Sequence, residues 1–281
     1  IKIKDGYIIA SAKKGLKGCL IKFSKISVGA TENTLIAACF SNGKTELRNC
    51  AIEPEIDDLI IFLKSMGCKI TKIGNRGLNI NGVKKLKSTT HKVIFDRIEA
   101  GTYMIAAALT KGKLKIRNIN PRIILTEIKF LKKMNVDIIK KKNYIIVSRL
   151  KKLKSISIET KPYPGFPTDL HAQIMVLMTN ADGVSKIREN IFENRFMHVS
   201  ELRRMGARIE TKGNEAKIFG NIKLNGAELM ATDLRASVCL VLAGLVASNT
   251  TVVNRIYHLD RGYENIESIL SNCGAKIKRL K

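Results

Sequence analysis

The chain has 281 residues, 45% hydrophobic and 26% charged, with 50 Lys and Arg against 24 Asp and Glu, for a net charge of +26. That length supplies about two domains with real cores, and the ordinary hydrophobic fraction marks a globular protein. The longest apolar run, Ala236 to Ala247, suits a buried helix and is too short to span a bilayer. With no signal-peptide pattern at Ile1-Lys2-Ile3-Lys4-Asp5-Gly6, the expectation is a soluble, cytoplasmic protein or a piece of one, with no membrane partner.

Six cysteines (Cys19, Cys39, Cys50, Cys68, Cys239, Cys273) are scattered without CxxC pairs or nearby histidines, which favours neither a disulfide framework nor a zinc site. Cys39 and Cys239 fall in apolar helical patterns and are expected to be buried and inert. The positive charge raises nucleic acid as a partner. Against that, the lysines are dispersed, aromatics are few, and Lys, Ile and Asn are high together, as in an AT-rich genome. No specific nucleic-acid partner is expected.

In chain order the pattern is a repeat. Met66-Gly67-Cys68-Lys69-Ile70, Met134-Asn135-Val136-Asp137-Ile138, Met205-Gly206-Ala207-Arg208-Ile209 and Cys273-Gly274-Ala275-Lys276-Ile277 are spaced by 68, 71 and 68 residues. An amphipathic helix precedes each: Ile60–Leu63, Ile128–Leu131, Val199–Leu202 and Ile266–Leu270. Strand pairs follow the first three. Upstream in each unit lies a more apolar helix, at Leu35–Phe40, Tyr103–Leu109, Ala172–Met178 and Ser237–Val246. A unit therefore reads helix, strand, helix, strand, strand. Helices apolar on nearly every side belong at a domain centre with sheets outside. The predicted class is α/β.

Ile1 to Gly18 matches the closing strand pair of a unit whose helices are absent, so the chain is expected to be N-terminally truncated. Asp96-Arg97-Ile98-Glu99 is a capping box opening the next unit. The boundary is placed near residue 94, with about one and a half units in 1–94 and three in 95–281.

Three of the five prolines lie in Pro162-Tyr163-Pro164-Gly165-Phe166-Pro167, which predicts a stiff extended arm. It ends at Thr168 as N-cap, with Asp169 in the first turn of the helix Ile174–Met178. The arrangement recurs at Thr232-Asp233-Leu234-Arg235-Ala236-Ser237. Helix N-termini attract anions, and arginine adds a bidentate clamp for phosphate or carboxylate. Arg195, Arg235 and Arg261 sit in such helix-entering loops, and Asp169 is a candidate general base beside them. Lys25-Ile26-Ser27-Val28-Gly29 is a small-residue approach to a helix that admits a phosphate. His198 and His258 occupy these loops without a nucleophile or carboxylate arranged around them and are read as structural.

Ser27-Val28-Gly29-Ala30-Thr31, Glu53-Pro54-Glu55-Ile56, Asp96–Thr102, Phe166-Pro167-Thr168-Asp169, Ile191–His198, Met230–Ser237 and Arg255–Glu264 run in the order found in the UDP-N-acetylglucosamine 1-carboxyvinyltransferases. The chain resembles that enolpyruvyl transferase family over essentially its whole length. The resemblance implies a two-domain inside-out α/β barrel of pseudo-repeats, with the N-terminal domain incomplete here and the active site in a cleft. It implies transfer of the enolpyruvyl group of phosphoenolpyruvate to the 3-hydroxyl of UDP-N-acetylglucosamine, opening peptidoglycan synthesis, with no metal or cofactor. By the same resemblance, Asp169 is the base. Lys25, Ser27, Val28 and Gly29 contact UDP, and Asp169, Ile191 and Phe192 contact the UDP-sugar. Arg261 clamps phosphoenolpyruvate, while Asp233, Arg195 and Arg235 are active-site neighbours.

The family also carries a Lys-Asn pair and a Gly-rich loop with a reactive Cys and a following Arg. Neither Ser-Gly-Ala-Lys-Asn nor Pro-Gly-Gly-Cys occurs here, and Ile52 stands where the family usually has Arg. A separately encoded N-terminal segment is therefore a candidate partner. A non-catalytic remnant, a 5-enolpyruvylshikimate-3-phosphate synthase-like enzyme and a basic nucleic-acid binder remain the alternatives.

Overall fold

The computed structural model describes residues 1–280, which divide into two compact units, one ending at Ile94 and the other beginning at Phe95. The first opens with an exposed antiparallel hairpin, β1 (Lys2–Lys4) and β2 (Tyr7–Ile9). Then come β3 (Leu20–Lys22), α1 (Val28–Ala38), β4 (Lys44–Arg48), α2 (Pro54–Ser65), β5 (Lys69–Ile73) and β6 (Gly77–Asn81). The sheet order is β3-β4-β6-β5, with β3 parallel to β4 and the other pairs antiparallel. Leu35, Cys39, Leu47, Ile56 and Ile80 form its core.

The second unit begins with α3 (Arg97–Leu109), β7 (Lys113–Arg117), α4 (Leu125–Lys133), β8 (Asp137–Lys140) and β9 (Tyr144–Ser148), a three-stranded sheet in the order β7-β9-β8. β10 (Ser157–Glu159), α5 (His171–Thr179), β11 (Val184–Arg188), α6 (His198–Arg204), β12 (Ile209–Lys212) and β13 (Glu215–Phe219) follow, giving β10-β11-β13-β12. β14 (Glu228–Met230), α7 (Leu234–Gly244), β15 (Val252–Asn254) and α8 (Ile266–Asn272) complete the described elements.

Each predicted helix is present, and three of the four units have one strand more than the sequence suggested, the unit beginning with α3 being the exception. β3, β10 and β14 precede the first helix of their units and pair in parallel with the strand that follows it. Each makes a strand–helix–strand crossover. These strands are three residues long, too short to show a period-two alternation, which is why the pattern missed them.

The apolar helices are central. α5 is buried at every position from His171 to Thr179, α7 from Ala236 to Ala243, and α3 along its alanine-rich length. α5 packs against α3 on one side and α7 on the other. A helix without a polar face must be enclosed in this way. Gly101 of α3 permits a close approach: a Cβ there would lie 2.5 Å from Leu170 Cδ1, next to Asp169.

The proline-rich stretch is not an extended arm. Lys161 N–H donates to Phe166 O (3.0 Å) and Gly165 N–H to Pro162 O (2.8 Å), closing a turn. Buried Phe166, edge-on to Phe130 with centroids 5.3 Å apart, anchors its end. Backbone pairing and aromatic burial outweigh the extended preference of isolated Xaa-Pro steps.

Candidate active site

After the proline turn, residues Thr168–Leu170 form a single 3-10 turn leading into α5. Thr168 does not cap the helix as expected. Its hydroxyl donates instead to Glu189 Oε2 at 2.8 Å, and a bond to a buried carboxylate outweighs a neutral cap. Asp169 is thereby set on the surface of the turn, with its carboxylate facing two guanidinium groups. Arg195 Nη2 donates to Asp169 Oδ1 at 2.7 Å, and Arg235 Nε lies 3.1 Å from the same oxygen.

Two local devices deliver those arginines. Asn194 takes a left-handed backbone (φ 53°), which asparagine tolerates better than most residues. It turns the chain so that Arg195 reaches back toward Asp169 with its guanidinium over the Phe192 ring, 4.9 Å from the centroid. Arg235 occupies the first turn of α7, whose N-cap is Asp233: Oδ1 accepts from the N–H groups of Arg235 (2.8 Å) and Ala236 (3.0 Å). Asp96 caps α3 in the same manner, through Ile98 and Glu99 N–H.

Burial by itself would raise the Asp169 pKa, but Arg235, Arg195 and Arg97 outweigh it and hold the carboxyl below its usual range. A carboxyl depressed on folding stabilises the protein above its unfolded pKa. That contribution is lost as pH falls through the lower, folded value. Asp169 is therefore expected to remain ionised at pH values where ordinary aspartates, near ~3.9, already take up protons. Arg195→Ala should move its titration upward. Carbon-13 NMR titration of the aspartate carboxyls measures both, and an Asp169 midpoint at or above ordinary aspartates in the parent chain would contradict the clamp.

Beneath the carboxylate runs a buried hydrogen-bond line. Gln173 Nε2 donates to Asp169 O (2.9 Å) and to Thr102 Oγ1 (3.3 Å), and Thr102 shares a 2.8 Å bond with the Tyr263 hydroxyl. It ties the Asp169 turn to α3 and to the segment after Arg261. Tyr263 also lines a cavity of about 630 Å³ with Arg261, Glu99, Asp260 and Glu264. Arg261 ends a 3-10 segment spanning Ile256–Arg261, and Asp169, Arg195 and Arg235 are not among the residues lining this cavity. Gly262 lets that segment meet α7, since a Cβ would lie 2.8 Å from Leu234 Cδ2.

The remaining residues singled out from the sequence lie as follows. Ile191 and Phe192 are exposed on the loop leading to Arg195. In the first unit, Ser27 caps α1, accepting from Ala30 N–H at 3.2 Å. Lys25 and Gly29 are exposed and Val28 is half-buried. A Cβ on Gly29 would meet nothing within 4 Å. His198 is buried beside His171 (centroids 5.1 Å apart). Burial, His171 and Arg195 hold its pKa far below the usual value, so it stays neutral. His258 stacks on Tyr257 at 4.2 Å. Cys39 and Cys239 are fully buried, and burial, with Cys68 adjacent, pushes the Cys39 thiol up to about 12.

Glu189, Gln173, Thr102 and Tyr263 were not foreseen as members of this site. Glu189 and Gln173 showed only as a polar residue beside a strand or within an apolar helix, whereas Thr102 and Tyr263 lay inside the motifs Asp96–Thr102 and Arg255–Glu264 without a role of their own.

A protein family described as EPSP synthase (3-phosphoshikimate 1-carboxyvinyltransferase) matches residues 1–270. The chain belongs to this enolpyruvyl transferase family. A relative named UDP-N-acetylglucosamine 1-carboxyvinyltransferase, from Pelagibacter ubique, is 61% identical over 279 residues, covering 99% of this chain and 67% of its own. One of the same name from Geotalea uraniireducens is 53% identical, covering 100% of this chain and 67% of its own. The chain spans about two thirds of the length of these relatives.

Among solved structures, the enolpyruvyl transferase NikO from Streptomyces tendae superposes with a TM-score of 0.86 at 26% identity, over 94% of this chain and 66% of that one. An EPSP synthase from Acinetobacter baumannii shares the fold, with a TM-score of 0.72 at 20% identity, over 94% of this chain and 64% of that one. The α/β fold with enclosed helices is that of the enolpyruvyl transferases, and the chain is a transferase of this type. No helix among the described residues is long and apolar enough to cross a membrane.

Proposed function

We propose that this chain carries the enolpyruvyl transfer from phosphoenolpyruvate to the 3-hydroxyl of UDP-N-acetylglucosamine, the first committed step of peptidoglycan synthesis. The observation that carries the reading is the single carboxylate of Asp169 held ionised between Arg195 and Arg235. Asp169 takes the proton of the sugar hydroxyl as its oxygen bonds to C2 of phosphoenolpyruvate, while C3 gains a proton. The resulting tetrahedral intermediate loses phosphate from C2 and a proton from C3, leaving the enolpyruvyl ether. A base held below its usual pKa is weak. An incoming phosphate and carboxylate give Arg195 and Arg235 a second anion to pair with, which returns basicity to Asp169 when both substrates are present.

Arg261 is proposed as a clamp on phosphoenolpyruvate and Asp233 as the cap that fixes Arg235. Ile191 and Phe192 would meet the UDP-sugar, and Lys25, Ser27, Val28 and Gly29 the UDP moiety. With two soluble, anionic metabolites as substrates, the proposed activity is that of a cytoplasmic enzyme. The relatives' names favour this sugar over shikimate phosphate as acceptor.

Calorimetric titration separates this reading from nucleic-acid binding. A duplex-DNA binder loses log K against log[salt] with a slope of about −0.9 per neutralised phosphate, whereas a UDP-sugar held by a few oriented groups shows a shallow slope. Gly29→Leu, whose side chain projects into open space, should weaken UDP-N-acetylglucosamine binding roughly tenfold or more, as clashing contacts in a ligand site do. It should leave the thermal midpoint and any salt-sensitive DNA retention unchanged. Tight DNA binding without measurable UDP-sugar affinity would sink the transferase reading.

A further inference from the structure

Glu189 directly follows β11 and is buried, with 2% of its surface exposed. Its carboxylate accepts four hydrogen bonds. Oε1 takes the Thr160 hydroxyl (2.9 Å), the Ile191 N–H (2.8 Å) and the Phe192 N–H (3.1 Å). Oε2 takes the Thr168 hydroxyl (2.8 Å). A buried carboxylate is costly to desolvate unless its lone pairs are filled, and here four donors from three separate chain segments fill them.

Those segments are the ones that carry the site. From Glu189 one path runs through the Phe192 N–H, the Phe192 ring and the Arg195 guanidinium above it to Asp169 Oδ1. The other runs through the Thr168 hydroxyl to the residue next to it, Asp169. The contacts close a ring with Glu189 at one pole and Asp169 at the other. Thr160 fixes the ring to the sheet, since its N–H donates to Arg188 O of β11 at 3.0 Å, and its hydroxyl also accepts from Asn190 N–H at 2.9 Å. Neither the Asp169 turn nor the Ile191–Phe192 loop is set by regular secondary structure alone. A single side chain holds both in register.

We infer that Glu189 is a positioning residue for the transfer reaction, joining the turn that carries Asp169 to the loop that carries Ile191, Phe192 and Arg195. The inference rests on the proposed roles of those residues, but the coupling itself is measurable without them. As the charged acceptor it makes stronger bonds than a neutral amide would. Glu189→Gln keeps the shape and one acceptor oxygen. Thr168→Val removes only the hydroxyl that links the turn to Oε2, without altering charge.

In the 281-residue chain, Glu189→Gln should speed amide exchange at Ile191 and Phe192 by roughly tenfold, the usual gap between charged and neutral acceptors. Thr168→Val should shift the Asp169 carboxyl titration upward as Arg195 loosens. Exchange in the α5 and α7 backbones should not change in either variant, whereas a merely structural loss would move all of these together. Unchanged Ile191 and Phe192 exchange in Glu189→Gln, with unchanged Asp169 titration in Thr168→Val, would overturn the inference.

The functional consequence is read separately, in a chimera supplying the part of the Pelagibacter ubique relative that this chain does not cover. There Glu189→Gln should raise KM for UDP-N-acetylglucosamine and lower kcat, leaving KM for phosphoenolpyruvate near its parent value. If the exchange and titration change as expected but these constants do not, the coupling stands. The proposed roles of Asp169, Ile191 and Phe192 would then be wrong.

Discussion

Asp169→Asn in the same chimera is expected to cut turnover by about 10²–10⁴-fold, the range for removing a general base, with little change in fold. Asparagine has the shape of aspartate, and the side chain it replaces caps no helix: its bonds go to Arg195 and Arg235. Those arginine side chains keep 25% and 19% of their surface exposed, so water partly solvates them once the counter-charge is lost. The loss should therefore fall on kcat, with a smaller effect on KM, and circular dichroism should be unchanged. Phosphate release under saturating substrates is the measurement. Near-parental kcat would move the base elsewhere. Asp233 is then the candidate to test, although its Oδ1 is already committed to two N–H groups of α7.

Helix positions were legible because burial leaves a pattern. An alanine-rich run such as Tyr103–Leu109, or Ala172–Met178 with no polar face, has no stable place except inside. The recurrence of Met-Gly-Cys-Lys-Ile and its counterparts fixed the period of the repeat. Helix-entering residues were partly legible: α7 is capped by Asp233 rather than the expected Thr232, and Asp96 caps as its sequence suggests. Thr168 does not, because a buried carboxylate twenty-one residues away competes for its hydroxyl. That competition has no local signature. The same holds for the convergence of Arg195 and Arg235 on one oxygen, since it depends on the packing of α5 against α7 and on the left-handed turn at Asn194. The three-residue parallel strands were invisible for a different reason, as they are shorter than the periodicity used to find strands.

The 281-residue chain assayed by itself is expected to release only trace phosphate from UDP-N-acetylglucosamine and phosphoenolpyruvate, roughly 10²–10⁴-fold below the chimera, the contribution typical of a general acid. In the proposed reaction Asp169 is the base and Arg195, Arg235 and Arg261 are the cations, but C3 must also receive a proton. The family resemblance assigns that step to a cysteine in a Gly-rich loop, and the cysteines present do not suit it. Cys39 and Cys68 face each other in the first core with sulfurs 3.0 Å apart. Burial raises the Cys50 thiol to about 11 and pushes Cys239 well above the ordinary value. Thiols so enclosed give up a proton poorly and reach no ligand. Cys19 and Cys273 are exposed, but neither has a Gly-rich context. Substitution of both by serine should leave the trace rate of the chain as it is. Chimera turnover that vanishes when the relative's loop cysteine becomes serine would place the acid there. Robust turnover by the 281-residue chain, lost on changing Cys19 or Cys273, would instead place it within this sequence.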